Sequence, residues 1–132
     1  AGADRPMRHA VEVRHESFAC PEFVELLRKH GAAVVVADHE EHPQIADLTA
    51  DFVYARLMKT REEIDTGYAA ADLDRWADIA RGWAKGEQPD GLTYVTDQAA
   101  ERTPRDVFAY FISGAKERNP AAAIALAERL AS

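Results

Sequence analysis

The chain has 132 residues, 47% of them hydrophobic and 30% charged, with a formal net charge of −7. That length suits one domain with a sizeable core, and the negative balance disfavours general nucleic-acid binding, because nothing in it pulls toward phosphate backbones. No apolar run approaches the roughly 20 residues of a membrane span and the opening residues do not read as a signal peptide; with Cys20 as the single cysteine, a cytoplasmic chain without a disulfide is expected.

The first element is read from residues 8–15, Arg-His-Ala-Val-Glu-Val-Arg-His. Alternation predicts a strand in which His9, Val11, Val13 and His15 point one way and Ala10, Glu12 and Arg14 the other. Val11 and Val13 suit burial against a helix. Glu12 and Arg14 then lie on a face that tolerates paired charge, which a solvated sheet or the lumen and mouth of a parallel barrel would provide. Cys20 and Pro21 open a helix that carries Phe23, Val24, Leu26 and Leu27 at helical spacing and stops at Gly31. Cys20 reads as a small helix-start residue rather than a nucleophile. Ala33–Asp38 is a continuous β-branched run, the signature of a strand buried on both faces in a parallel sheet.

A polar stretch with Pro43 leads to a third strand, Asp51–Leu57. Leu73, Trp76, Ala80 and Trp83 mark a long amphipathic helix ending near Gly86, with both tryptophans in the core. Residues 88–103 read as loop, and Val107–Ile112 as the fourth strand. Asn119-Pro120 is a suitable N-cap and first-turn pair for a last helix, with Ala123, Leu126, Ala127 and Leu130 on its buried face.

Four strands separated by helices or long crossovers define an α/β class built from right-handed βα units. Polar residues stand at the carboxyl end of each strand, where parallel α/β folds bind ligands: Arg14 and His15, Asp38, Arg56, and Ser113. Parity groups Asp38 with Val34 and Val36, and Arg56 with Phe52 and Tyr54. If those faces line a lumen, Glu12, Arg14, Asp38, Tyr54, Arg56 and Tyr110 converge at its mouth. Arg14 and Arg56 offer bidentate forks for a carboxylate or phosphate, with Tyr54, Tyr110 and Ser113 beside them as further ligand-binding residues. Glu12 or Asp38 is the candidate general base, and His15 a candidate for orienting or transferring a proton. The competing reading makes the charged cluster an internal ion-pair network that fixes strand register.

Two further motifs have a functional and a plain reading. Asp38-His39-Glu40-Glu41-His42 has the residue types of a metal site, but its histidines are three apart rather than the four of the zincin helix, so it reads as a solvated loop and no metal is assigned. Ser113-Gly114-Ala115-Lys116 reads as an anion nest after the last strand, or as a simple turn.

The pattern resembles the YecE-like family, domain of unknown function 72. The resemblance is carried by His9-Ala10-Val11-Glu12-Val13-Arg14-His15-Glu16-Ser17-Phe18, Val36-Ala37-Asp38, and Thr49-Ala50-Asp51-Phe52-Val53-Tyr54-Ala55-Arg56-Leu57. Asp106-Val107-Phe108-Ala109-Tyr110-Phe111 and Asn119-Pro120-Ala121-Ala122-Ala123 continue it. It implies a TIM-like barrel of about twice this length, of which this chain is the C-terminal half, strands five to eight. The chain departs from the family pattern twice. Met58-Lys59 stands where many members have His-Gly, and Phe111-Ile112-Ser113 where many have Phe-Asn-Asn.

The expected function is therefore a half of a TIM-like barrel with a small-anion pocket, for a metabolite that carries a carboxylate or phosphate, and an acid–base step at the strand ends. The competing class is a non-catalytic binding or assembly module. No cofactor is indicated. A half-barrel leaves two open edges, so a homodimer or the missing N-terminal half-barrel is the expected partner.

Overall fold

The structure, a computed structural model, describes residues 8–112 and 116–131. Its strands are β1 (Ala10–Val11), β2 (Ala33–Asp38), β3 (Phe52–Leu57) and β4 (Asp106–Phe111). Its helices are α1 (Pro21–His30), α2 (Ala70–Ala84) and α3 (Asn119–Leu130), and short 3-10 turns stand at Glu16–Phe18 and Lys116–Arg118. The strands form one parallel sheet in the order β1-β2-β3-β4, so this is an α/β fold.

Local chemistry sets the helix ends. Pro21 occupies the first turn of α1, where its missing N–H costs nothing. Arg28, Lys29 and His30 sit in the last turn, where the helix dipole favours positive charge. Gly31 closes the helix in the left-handed region at φ 65°; its amide bonds Arg28 O at 3.3 Å and the Ala32 amide bonds Leu27 O at 3.0 Å. α3 differs from expectation. Arg118 holds the N-cap position, while Asn119 Oδ1 accepts from the Thr60 hydroxyl at 2.7 Å and ties the helix start to the loop after β3.

Register decides the two faces of the sheet. Val36, Ala55 and Leu57 pack with Val53 and Phe111 against Leu73, Trp76 and Trp83 of α2 and Leu126 of α3. Val34 joins Val11 and Val13 against Val24 and Leu27 of α1. The alternate residues face the other way. Val35 pairs with Tyr54, Ala37 with Arg56, Tyr54 with Phe108 and Arg56 with Tyr110. No helix covers this second face among the described residues, and Phe108, Tyr110 and Ile112 are exposed on it. Phe52 is buried there, under the Arg8 guanidinium and edge-on to Phe108.

The first strand is shorter than its alternation predicts. Its ladder covers only Ala10↔Ala33 and Val11↔Val34, and residues 12–15 leave the sheet. An edge strand has one neighbour to hold it, and here pairing ends where the charged side chains begin. The fourth strand begins at Asp106, one residue before its predicted start, and ends one residue earlier.

The segment between β2 and β3 contains no helix, yet Ile45, Ala46, Asp47, Leu48 and Thr49 are all buried. Side chains supply the backbone partners that a helix would otherwise provide. Thr49 Oγ1 accepts from the Val34 amide at 3.1 Å and donates to Ala32 O at 2.7 Å. Asp47 accepts from the amides of Val95 at 2.8 Å and Thr96 at 3.1 Å, which pins the long loop after α2 over the core.

Candidate functional site

The carboxyl end of the uncovered face holds a compact ionic cluster. Arg56, next to last in β3, extends from that face. Its Nη1 donates to both oxygens of Glu12, at 2.8 and 2.9 Å. Glu12 reaches across β2 from the extended chain after β1, and Arg14 Nη2 donates to the same carboxylate at 3.3 Å. Two guanidiniums thus share one carboxylate, leaving one positive charge in excess within the cluster. Arg14 is 65% exposed at its side chain, whereas Arg56 is 23% and Glu12 18%. Arg56 Nε is buried with no hydrogen-bond partner among the described residues. Tyr110 is the ladder partner of Arg56 on β4, and its ring stands 5.2 Å from that of Tyr54, one layer down β3.

The structure brings Glu12, Arg14 and Arg56 together, with Tyr110 beside Arg56 on the neighbouring strand and Tyr54 one layer below. Asp38 is not with them. The Asp38↔Leu57 register puts it on the helix side, with Val36. It is buried, it accepts from the Tyr68 hydroxyl at 2.8 Å, and Lys59 Nζ lies 3.5 Å away. The expected convergence of Asp38 with Arg56 assumed that Val34 and Val36 share a face with Phe52 and Tyr54. In the observed register they alternate with it. His15 turns back on its own chain: its Nδ1 accepts from the Ser17 amide at 3.1 Å and lies 2.8 Å from the Ser17 hydroxyl, so it caps the 3-10 turn. Ser113 and the Ser113–Lys116 turn lie outside the described residues, apart from the backbone of Lys116.

Asp38 belongs to a second feature, a cavity of about 580 Å³ on the helix side. Lys59, Thr60, Tyr68, Asp72 and Arg75 line it with Asp38, beside the start of α2. Tyr68 organises its floor, donating to Asp38 and accepting from the Lys59 amide at 2.9 Å. Burial and the adjacent Asp38 carboxylate push the Tyr68 phenol far above its ordinary range. Arg75 lies over the Trp76 ring at 5.1 Å. Acids and bases are mixed around this cavity, so its charge selects no ligand class.

Sequence reading missed three groups. Lys59 carried a signal, since it follows the Arg56-Leu57 strand end by two residues. Tyr68 carried none, because its role depends on how the twelve-residue loop between β3 and α2 folds back. His42 lay in the acidic loop motif, whose residues are more ordered than a solvated loop. His39 Nδ1 accepts from the amides of Glu41 at 2.9 Å and His42 at 3.2 Å, and the two imidazoles stack with centroids 3.7 Å apart. Among the described residues no group of three or more His, Cys, Asp or Glu side chains is placed to hold a metal ion.

Comparison with known proteins gives three findings. The model of a protein family of unknown function, DUF72, matches residues 2–132. No curated protein matches the chain at a significant level. The crystal structure of a DUF72 family protein from Thermotoga maritima MSB8 superposes with a TM-score of 0.60 at 22% identity, over 92% of this chain and 45% of that one. The likeness shows a shared fold, and the chain spans less than half the length of that solved protein.

Proposed function

The chain belongs to the DUF72 family, and on that premise we propose that the Glu12–Arg14–Arg56 cluster is part of a small-anion site at the mouth of a TIM-like barrel. The reading rests on one observation above all. Two arginines meet one carboxylate at the carboxyl end of a parallel sheet, on the face that no described helix covers. In barrels of this kind that end carries the ligand site. Arg14 is the approachable fork, and Arg56, braced by Glu12, holds the position of the inner one. A carboxylate or phosphate on a metabolite is the chemistry that such a pair recognises.

In this reading Glu12 is first a positioning group, since both its oxygens accept from Arg56. An acid–base step by Glu12 requires a ligand that displaces Arg56 from one of them. Asp38 anchors Tyr68 and the loop after β3 behind the site, and His15 shapes the chain beyond Glu12. The second reading, a register clamp that binds nothing, draws on the same bidentate contact. Arg14 separates the two: a clamp has little use for a largely exposed second arginine.

The partner we propose follows from the sheet. Among the described residues β1 and β4 each have one neighbour, and Phe108, Tyr110 and Ile112 stand exposed on and just after β4. A second copy of this chain, or the remaining half of a barrel, would pair those edges and cover that face. No described helix is long and apolar enough to cross a membrane, and we place the protein in the cytoplasm on its lone Cys20. Isothermal calorimetry with inorganic phosphate and with acetate tests the site. Saturable binding that Arg14→Ala weakens supports it; binding unaffected by Arg14→Ala and Arg56→Ala, in folded variants, removes it.

A further inference from the structure

The uncovered face of the sheet changes character along its strands. At the carboxyl end one row runs Ala37, Arg56, Tyr110 across β2, β3 and β4. Glu12 approaches Arg56 from the β2 side, where Ala37 takes little room. Both of its bonds use Nη1 of Arg56, and Nε of the same guanidinium is buried with no hydrogen-bond partner among the described residues. On the β4 side the neighbour of Arg56 is Tyr110, which is 46% exposed. Tyr54, two residues before Arg56 on the same face, sets its ring 5.2 Å from that of Tyr110 at a tilt of 32°. Phe52 and Phe108 continue the aromatic surface away from the cluster, with centroids 6.2 Å apart. Aromatic rings on two strands thus lead up to two arginines that share one carboxylate.

The two ends of this surface attract opposite parts of a ligand. The face of an aromatic ring carries negative potential, so it repels a carboxylate and accepts another ring offset or edge-on. The arginines carry one positive charge in excess and attract the carboxylate. Adjacent strands stand about 4.8 Å apart, so Arg56 and Tyr110 lie within reach of one small molecule. Tyrosine rings also lose little freedom when a flat partner settles on them. An aliphatic acid uses the arginine end alone, whereas an acid with a ring next to its charge uses both.

We propose that the site takes a planar aromatic acid, with its carboxylate on the Arg14–Arg56 pair and its ring against Tyr110 and Tyr54. The inference rests on the anion-site reading above and names the ligand class for it. Tyr110 is then a specificity-determining residue, which separates an aromatic from an aliphatic anion of the same charge. Closure of the sheet by a partner is compatible with this placement. Phe52 and Phe108 lie deeper, while Tyr110 is level with Arg56 at the mouth.

Benzoate, cyclohexanecarboxylate and acetate are suitable probes, because each is a single carboxylate ionised at pH 7. The first two are of similar size, and the cyclohexane ring is at least as apolar, so a preference for benzoate reads the contact between rings. Calorimetry on the unmodified chain is expected to give benzoate about two- to tenfold tighter than cyclohexanecarboxylate, the range that an aromatic pair adds beyond burial of area, with acetate the weakest. Tyr110→Leu keeps an apolar side chain at a half-exposed position and is expected to erase the preference. Benzoate no tighter than cyclohexanecarboxylate, or a preference that persists in Tyr110→Leu, overturns the inference; acetate binding that Arg14→Ala weakens then leaves the anion site standing. No binding of any of the three overturns the inference, and inorganic phosphate titrated in parallel decides the anion site: if phosphate binds the site stands, and if it does not the site falls too.

Discussion

Replacing Tyr68 by Phe isolates one oxygen that joins β2, β3 and the start of α2. The hydroxyl donates to Asp38 at 2.8 Å and accepts from the Lys59 amide at 2.9 Å, in a side chain 4% exposed. The ring stays, with its edge contact to Phe111 at 5.3 Å, so almost no cavity forms. The loss is then one hydrogen bond to a charged group, about 1.5–3 kcal/mol, and one neutral bond, about 0.5–1.5 kcal/mol. Lys59 remains beside Asp38, and part of the loss is recovered there, so the expected destabilisation is about 2–4 kcal/mol. Urea denaturation followed by the fluorescence of the buried Trp76 and Trp83 reads it directly. With a slope of about 1–3 kcal/mol/M, the midpoint falls by about 1–2 M with the slope unchanged. Asp38→Asn combined with Tyr68→Phe should cost less than the sum of the two, because both act on one contact. A midpoint shift below about 0.3 M, or strict additivity, would refute the view that Asp38 is an anchor behind the site.

Asp47→Ala should cost about 3 kcal/mol, because a buried carboxylate that accepts two amides is removed and both amides lose their partner; limited proteolysis should then cut first within residues 88–103, and an unchanged cleavage pattern would count against that tether. Stability should also fall in mild acid. The folded state holds His42 below 6.5, so its contribution is complete above that pH and is lost as the unfolded chain takes up a proton below it; His42→Gln should flatten this part of a pH–stability curve, and a curve identical to that of the unmodified chain would show that His42 does not titrate there. Above pH 10 the sign reverses. Tyr94, pushed up to about 12 by burial and by Asp47 and Asp90, and Tyr68 stay protonated in the folded state while the unfolded chain loses its phenolic protons, so stability declines; a flat thermal-melting profile between pH 10 and 11 would contradict this. Light scattering on the 132-residue chain should give a mass above the monomer; a monomer across a concentration series would refute pairing of the open edges by a second copy.

Much of the architecture was legible because it is local. The β-branched run 33–38, the Pro21 and Gly31 punctuation and the tryptophan spacing of 76 and 83 each act within one element, and each element formed where its residues predict. Glu12, Arg14 and Arg56 were legible as a group for a similar reason. Strand alternation puts Glu12 and Arg14 on one face, and parallel pairing brings successive strand ends together. What was not legible depends on register and on loops. Asp38 shares a face with Val36, as alternation requires, but which face of β3 lies opposite is fixed only by the Val36↔Ala55 pairing. Residues 45–49 read as part of a polar connection and proved to be core, because Asp47 and Thr49 spend their polarity on backbone amides and a carbonyl rather than on water. Tyr68 finds Asp38 across 30 residues of sequence, which no pattern within one element encodes.

Titration calorimetry with inorganic phosphate and acetate, on the unmodified chain and on Arg14→Ala, tests the central claim most directly. Arg14 is largely exposed, so its removal leaves folding nearly untouched. The account predicts saturable binding of at least one of the two anions, weakened by roughly tenfold or more in Arg14→Ala, as the loss of a charge-assisted bond of about 1.5–3 kcal/mol requires. Equal affinity in the two proteins, or no binding to either, would contradict it and leave the cluster as a register clamp.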